Sequence, residues 1–462
     1  MRNGRRFGWC LAAIVIAALA VRCGYIAGAK RGPCPLRFGD FVVGQVHSEC
    51  LGGDGFVNDQ YWYNVTADEV AHGQFFRDGL THAPKADHPP LTVFVLAGTS
   101  FAFNHLPLSS LSESPATIAG PRFVSHVREQ RYTIAAIGAL VVLLIGLLGR
   151  RVGGDSVGLL AATLAAVYPN MWVNDGLLFG EPIARACVLG ALLVALRTRT
   201  RASARSFLLL GALCGLAALA RSELLVLLPA LAIAAAWHLR REGLRPVLVA
   251  MLAASAGATL VVAPWIAFNM TRFKEPVFIA TNDGVTLAGA NCDFGYRGST
   301  IGLWKTGAPC TYTAEESAKL GDQSQLDHAY RTKAFTYIGA HAGRVPVVVA
   351  ARIGRTWGLY RPLDMIGYEV NENKERWVSW AGVLTFYPVF IAAIAGAVVL
   401  FRRRQRYDLA VICMPLLTTT LVVAFLSYGQ VRHRAVAEPS LTILAAVAAR
   451  AFAGRRLRLA SE

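Results

Sequence analysis

The sequence predicts an all-α polytopic membrane protein, a bundle of about 10–13 transmembrane helices whose long polar loops carry helices at the membrane surface. Three observations predict it. First, 54% of the 462 residues are hydrophobic and only 16% are charged, whereas soluble domains carry about 25% charged residues. Second, apolar runs such as Thr133–Leu148, Phe207–Ala220, Leu224–Trp237 and Val247–Val262 punctuate the chain. With their flanks, several reach the ~20 residues that cross ~30 Å of hydrocarbon at ~1.5 Å per residue. The runs are continuous rather than alternating with period two, which argues against a β-barrel. Third, the formal charge of +17 gathers just beyond the apolar runs. Arg2/Arg5/Arg6, Arg150/Arg151, Arg197/Arg199/Arg201/Arg205, Arg240/Arg241/Arg245, Arg402/Arg403/Arg404/Arg406 and Arg450/Arg455/Arg456/Arg458 hold 20 basic residues against four acids, Asp155, Glu242, Asp408 and Glu462. Arginine translocates poorly, so such clusters mark cytoplasmic ends. The same placement argues against nucleic acid as a partner.

The clusters orient each element. Span one, about Phe7–Ala29, leaves the cytoplasm behind Arg5/Arg6 and is read as a retained anchor, because no A-x-A-like cleavage site closes it and more spans follow. Further spans fall at about 132–149, 155–169, 176–196, 206–220, 223–238, 247–267, 378–401, 408–427 and 439–453. With ten crossings every basic cluster lies inside. Leu91–Phe103, the core of a short apolar segment at 91–105, is read as partly inserted, and Val345–Leu359 is similarly ambiguous. The result is one transmembrane domain over 1–462, with extracytoplasmic segments at about 30–131 and 268–377. In the first, Tyr61–Phe76 is amphipathic at helical spacing and is expected to lie in the membrane interface, a depth that suits Trp62 and Tyr63. Four of nine cysteines, Cys34, Cys50, Cys292 and Cys310, fall outside, where disulfides persist. Sequence-local pairings are Cys34–Cys50 and Cys292–Cys310. No C-x-x-C spacing supports zinc.

Four constellations carry candidate chemistry. The first outer loop reads Gly53-Asp54-Gly55-Phe56-Val57-Asn58-Asp59-Gln60-Tyr61, then Ala86-Asp87-His88-Pro89-Pro90-Leu91. Asp59 is either a helix N-cap or a general base at the membrane surface, with Asp54 in reserve. His88 is either a headgroup-level residue in a stiff Pro-Pro turn or a partner aimed at that carboxylate. Asn174–Pro182 puts Asp175 and Glu181 at or within the membrane, where acids are functional suspects. Glu181 and Arg185, four apart, offer the alternative of mutual neutralisation. Arg221 and Glu223 at an outer turn invite the same two readings. Finally, Tyr428-Gly429-Gln430-Val431-Arg432-His433-Arg434 puts arginines outside, against the charge bias, so an anion must compensate them. A lipid phosphate and a first-loop carboxylate both fit.

Together these stretches, with Leu219–Glu223, Pro264-Trp265, Asn269, Thr281-Asn282-Asp283-Gly284 and Glu438-Pro439, resemble the membrane-embedded GT-C glycosyltransferases. The resemblance is to glycosyltransferase family 39 and its relatives, which include protein O-mannosyltransferases and lipid A aminoarabinose transferases. It implies a GT-C-like bundle in the cytoplasmic membrane and a sugar donor carried on polyprenyl phosphate. Transfer would run outside the membrane to a hydroxyl on protein, glycan or lipid, with no cofactor and no metal. By position, Asp59 matches the family's first-loop acid, although Gln60 stands where a second acid is usual. Glu181 matches the second acidic position, with Asp175 in reserve. His88 is implied to hold the acid or the phosphate. Arg434, with Arg432, is implied to stabilise the leaving phosphate, and Tyr61, Asp175 and Asn282 complete the expected substrate- and lipid-phosphate-binding set. A lipid-linked-sugar transporter or a non-catalytic partner of the same fold are the competing readings. The first lacks paired broken helices; the second draws on Gln60.

Overall fold

The computed structural model describes residues 2–30, 59–78, 81–105, 117–119, 122–124 and 126–459. Helix α1 spans Arg2–Ala29, α2 Asp59–Ala71 and α3 Pro90–His105. A small antiparallel hairpin, Thr117–Ala119 with Arg122–Val124, is an addition that the apolar-run pattern did not indicate. Then follow α4 (Val127–Gly153), α5 (Asp155–Val167), α6 (Pro169–Trp172), α7 (Glu181–Thr198), α8 (Ala204–Ala220), α9 (Leu227–Ala236) and α10 (Leu244–Met270). The second long polar segment, after α10, folds as short helices. Among them are α11 (Asp283–Ala290), α12 (Asp293–Tyr296), α13 (Ala314–Lys319), α14 (Gln323–Ala340), α15 (Val345–Thr356) and α16 (Asp364–Asn371). Helices α17 (Arg376–Arg402), α18 (Arg406–Phe425) and α19 (Glu438–Leu459) close the bundle.

The protein is an all-α polytopic membrane protein. Among the described residues six helices are long and apolar enough to cross a membrane, or seven if the bent pair 155–176 is one span. The other expected crossings exist as helices that fall short in length or carry charge. Helix α8 has 17 residues, and α7 begins at Glu181 and contains Arg185, both fully buried. The bend of 73° between α5 and the following turn has a local cause. Tyr168 precedes Pro169, whose ring excludes the helical conformation from the residue before it, and Tyr168 is extended at φ −71° and ψ 118°.

Small residues set the close crossing of α8 and α10. A Cβ at Gly211 on α8 would lie 1.8 Å from the Ala254 carbonyl oxygen on α10, and one at Gly257 would lie 2.0 Å from that of Leu208. Backbones approach this closely only where side chains are absent, the device that replaces the missing hydrophobic drive between helices in lipid. Gly211→Leu is expected to force α8 from α10 at a cost of about 3 kcal/mol or more. Thermal unfolding of detergent-purified protein checks this, and an unchanged midpoint would remove the crossing from the account of stability.

The bundle has two chemically distinct ends. At one, Arg150 packs over the Phe7 ring at 4.2 Å, Arg199 pairs with Asp408 at 3.4 Å, and the basic clusters flank the helix termini. At the other meet the starts of α2, α7 and α19, the ends of α8 and α18, and the short helices between α10 and α17. One expectation changes here. Helix α2 does not lie on the surface as an interfacial element, because most of its residues are buried. Its polar side is clamped: Asn64 donates to Gln130 at 2.8 Å, and Asp68 accepts from Ser100 at 2.6 Å. Cys292 and Cys310 form the expected disulfide, while Cys34, Cys50 and Asp54 lie outside the described residues.

Candidate functional site

The site forms where three chain segments far apart in sequence meet. Helix α2 starts at Asp59, so free N–H groups of its first turn favour a carboxylate there. Gln60, next in the chain, fixes the position of that start: its amide oxygen accepts the Leu178 N–H at 3.2 Å, tying α2 to the turn that launches α7. Glu181 opens α7, with Pro182 at a position where its missing N–H removes no helical bond. The His88-Pro89-Pro90 run enters α3 and holds His88 beside Asp59, with His88 Nε2 3.6 Å from Asp59 Oδ1. On the far side of the ring, Asn282 Nδ2 donates to His88 Nδ1 at 2.9 Å, leaving the ring proton on the nitrogen that faces the carboxylate. Trp62 and Tyr63 flank the imidazole at 4.8 and 5.1 Å between ring centres.

Arg432 joins these groups. Its Nη1 lies 2.7 Å from Asp59 Oδ2 and 3.0 Å from Glu372 Oε2, and its Nε lies 2.5 Å from Glu181 Oε1. The guanidinium sits over the Phe179 ring at 4.0 Å, a cation–π contact that keeps its plane fixed. Glu181 Oε1 also pairs with Arg221, whose Nε reaches Glu223 at 2.6 Å. Glu181 therefore spends one oxygen on two guanidiniums. Its Oε2 is buried and has no hydrogen-bond partner among the described residues.

Four carboxylates thus share two guanidiniums, and the environment separates their acidities. Burial opposes ionisation of Asp59, but the Arg432 guanidinium, helped by the neighbouring His88 imidazole, outweighs it and holds the carboxyl below its ordinary value. For Glu372 burial dominates and the neighbouring Asp59 charge adds to it, so its carboxyl is pushed up. His433 is held well below the usual imidazole range by burial and by Arg221 and Arg432, so it stays neutral. Among the described residues no group of three or more His, Cys, Asp or Glu side chains is arranged to hold a metal ion.

Five expected site residues therefore converge, namely Asp59, His88, Glu181, Arg432 and Asn282. Tyr61, half-buried on α2, packs against the core beside them. Two are placed elsewhere. Arg434 is buried, pairs with Glu438 at 2.6 Å and lies over Phe386 at 3.6 Å, so its charge is already matched away from Asp59. Asp175 is buried between Arg22 at 2.6 Å and Arg185 at 3.3 Å. Arg185 consequently does not neutralise Glu181. Glu372 was not anticipated. The available signal was an acid in Asn371-Glu372-Asn373-Lys374-Glu375, just before an apolar run.

Residues 124–268, from just before α4 to near the end of α10, match the family model described as dolichyl-phosphate-mannose-protein mannosyltransferase. The fold is similar to the crystal structure of the Archaeoglobus fulgidus oligosaccharyltransferase in its apo form, with TM-score 0.52 and 18% identity over 98% of this chain and 51% of that one. It is also similar to the archaeal oligosaccharyltransferase AglB from Archaeoglobus fulgidus in complex with an inhibitory peptide and a dolichol-phosphate, at TM-score 0.50 and 15% identity over 98% and 51%. A third likeness is to that oligosaccharyltransferase tethered to an acceptor peptide, at TM-score 0.51 and 16% identity over 98% and 50%. The chain spans about half the length of these structures. A comparison with curated proteins gave no match. The chain shares the fold of the membrane part of these oligosaccharyltransferase structures.

Proposed function

We propose that this GT-C-fold membrane protein is a glycosyltransferase that moves a sugar from a polyprenyl-phosphate donor to an acceptor hydroxyl on the extracytoplasmic side. The observation that carries the reading is the meeting of Asp59 and Glu181 on one guanidinium, Arg432, at the end of the bundle opposite the arginine clusters. The mannosyltransferase family match and the dolichol-phosphate held by one structural relative support a lipid phosphate as the group that Arg432 receives. The positive-inside rule supports the side.

The proposed reaction is a single displacement. The acceptor oxygen attacks the anomeric carbon, the sugar–phosphate C–O bond breaks, and the hydroxyl proton passes to Asp59 and then to water. One displacement inverts the anomeric centre. The leaving lipid phosphate departs as an anion and needs no general acid; Arg432 and Arg221 take up its charge. No metal is drawn, because a singly esterified phosphate leaves only modest charge to offset. Arg432 also gives the base its timing. While it grips Asp59 the carboxylate is a weak base. When the donor phosphate claims the guanidinium, Asp59 loses its strongest counter-charge and its basicity rises with the substrate in place. His88 then keeps the carboxylate aimed, itself positioned by Asn282.

Transfer of labelled sugar from polyprenyl-phosphate donors in membranes tests the reading. Asp59→Asn keeps shape and removes the base, and a loss of about 10²–10⁴-fold is expected. Unchanged transfer in the variant would remove Asp59 from the reaction. Absence of transfer in the wild type with every polyprenyl-phosphate sugar tried would sink the reading itself.

A further inference from the structure

A second cationic cavity lies at the other end of α2, about 20 Å from Asp59 along a 13-residue helix. It encloses about 330 Å³ and is lined by Gly73, Gln74, Phe75, Arg77, His82, Phe268 and Arg272. Its two arginines come from separate elements, Arg77 from the loop after α2 and Arg272 from just beyond α10. The hydrogen bonds made by Arg272 are to neutral oxygens, the carbonyls of Phe76 at 2.8 Å and Lys85 at 3.1 Å and the amide oxygen of Asn269 at 2.8 Å, and its guanidinium lies over the Phe268 ring at 4.0 Å. Arg77 likewise donates to a carbonyl, that of His82, at 3.2 Å. Among the described residues neither guanidinium has a carboxylate within ion-pair distance. This contrasts with the reaction site, where carboxylates outnumber guanidiniums.

Two like charges held together without a counter-charge are unfavourable, and the molecule shows the strain of it. Burial and the nearby Arg77 push Arg272 down to about 10. An anion in the cavity relieves that repulsion. The neighbouring surface says what the anion is attached to. Phe75 is 44% exposed, Phe94, whose ring lies 5.8 Å from it, 40% and Met270 40%, an apolar border beside the end of a helix long and apolar enough to cross the bilayer. A cationic cavity with an apolar border at the end of a span fits an amphiphile whose head is anionic.

We propose that the Arg77–Arg272 cavity is a binding site for the phosphate headgroup of an anionic membrane phospholipid. The two guanidiniums grip the phosphate oxygens, His82 lies at the rim, and Phe75 and Phe268 pack against the glycerol and the first acyl methylenes. The site is distinct from the Asp59–Arg432 cluster, and the proposal stands whether or not that cluster transfers sugar.

Native mass spectrometry of the full chain in neutral detergent tests it, titrating phosphatidylglycerol, diacylglycerol and inorganic phosphate separately. Saturable phosphatidylglycerol binding is expected. It should weaken about fivefold in Arg77→Gln, the loss of one cation near a membrane phosphate, and further in Arg77→Glu. Arg77 is exposed and supports no buried bond, so these variants keep the fold, whereas Arg272 holds three backbone and side-chain oxygens and is left intact. Arg297→Gln, on a distant exposed pair, should bind as the wild type does. Equal binding by Arg77→Glu and wild type would overturn the site, as would equal uptake of diacylglycerol. Inorganic phosphate binding as tightly as phosphatidylglycerol would overturn the lipid assignment.

Discussion

Arg432→Gln is expected to reduce sugar transfer by about 10²–10³-fold, the loss that follows removal of one preorganised donor to a developing anion. The same change removes the shared partner of Asp59, Glu181 and Glu372. Arg432 is 11% exposed and Glu181 is fully buried, so breaking this network leaves carboxylates without compensation and costs about 3–5 kcal/mol. Two measurements separate the effects: labelled-sugar transfer in membranes and thermal unfolding of the purified protein. Arg432→Lys keeps the charge but replaces a planar fork by a point donor. It should recover much of the unfolding midpoint and little of the transfer, because one ammonium cannot reach Asp59, Glu181 and Glu372 together. Transfer within about threefold of wild type in the lysine variant would show that charge alone is needed and would refute the bidentate role.

The bundle was largely legible because its signals are local. Apolar runs report length, flanking arginines mark one end of the bundle, and each span is written within one stretch of chain. The meeting of Asp59 with His88 was legible for a similar reason: Asp59 opens a helix and His88 stands in the Pro-Pro turn that enters the next one. What the sequence did not reveal is phase. Arg432, His433 and Arg434 lie in a 3₁₀ turn, Val431–Val436, where each residue rotates by about 120°. Two arginines two positions apart cannot face one target. Arg432 faces Asp59 and Arg434 turns to Glu438, a choice fixed by packing rather than by the motif. Glu372 was hidden differently, since it reaches Arg432 across 60 residues of chain and belongs to no recognisable run. Helix α2 was misplaced because its apolar spacing suggests a surface helix, while the partners of Asn64 and Asp68, Gln130 and Ser100, lie on helices that the spacing does not mention.

Asp175→Leu is expected to be the most damaging single change to stability away from the site. Arg22 on α1 and Arg185 on α7 are fully buried, and Asp175 bridges them with both oxygens. The remaining contacts of the two guanidiniums are to carbonyls: Ala18 for Arg22, and Met171 and Ala435 for Arg185. Packing leaves no alternative, since Gly138 on α4 lies where a Cβ would fall 2.1 Å from Asp175 Oδ2. Removing the carboxylate leaves two unmatched charges in the bundle, and an isolated break of this kind costs about 3–5 kcal/mol. A leucine also collides with Arg22 in the space that the carboxylate occupied. The measurement is thermal unfolding in detergent of Asp175→Leu, Arg22→Met and the double variant. If the bridge is an electrostatic unit, the double variant should be more stable than the sum of the single losses implies. Strict additivity would mean that Asp175 and Arg22 act independently. Because Glu181 lies only six residues beyond Asp175, the same bridge fixes the turn that aims Glu181 at Arg432. Asp175→Asn, which keeps the shape and part of the hydrogen bonding, should therefore lose less stability yet still lower transfer. That result would separate a positioning role for Asp175 from a purely structural one.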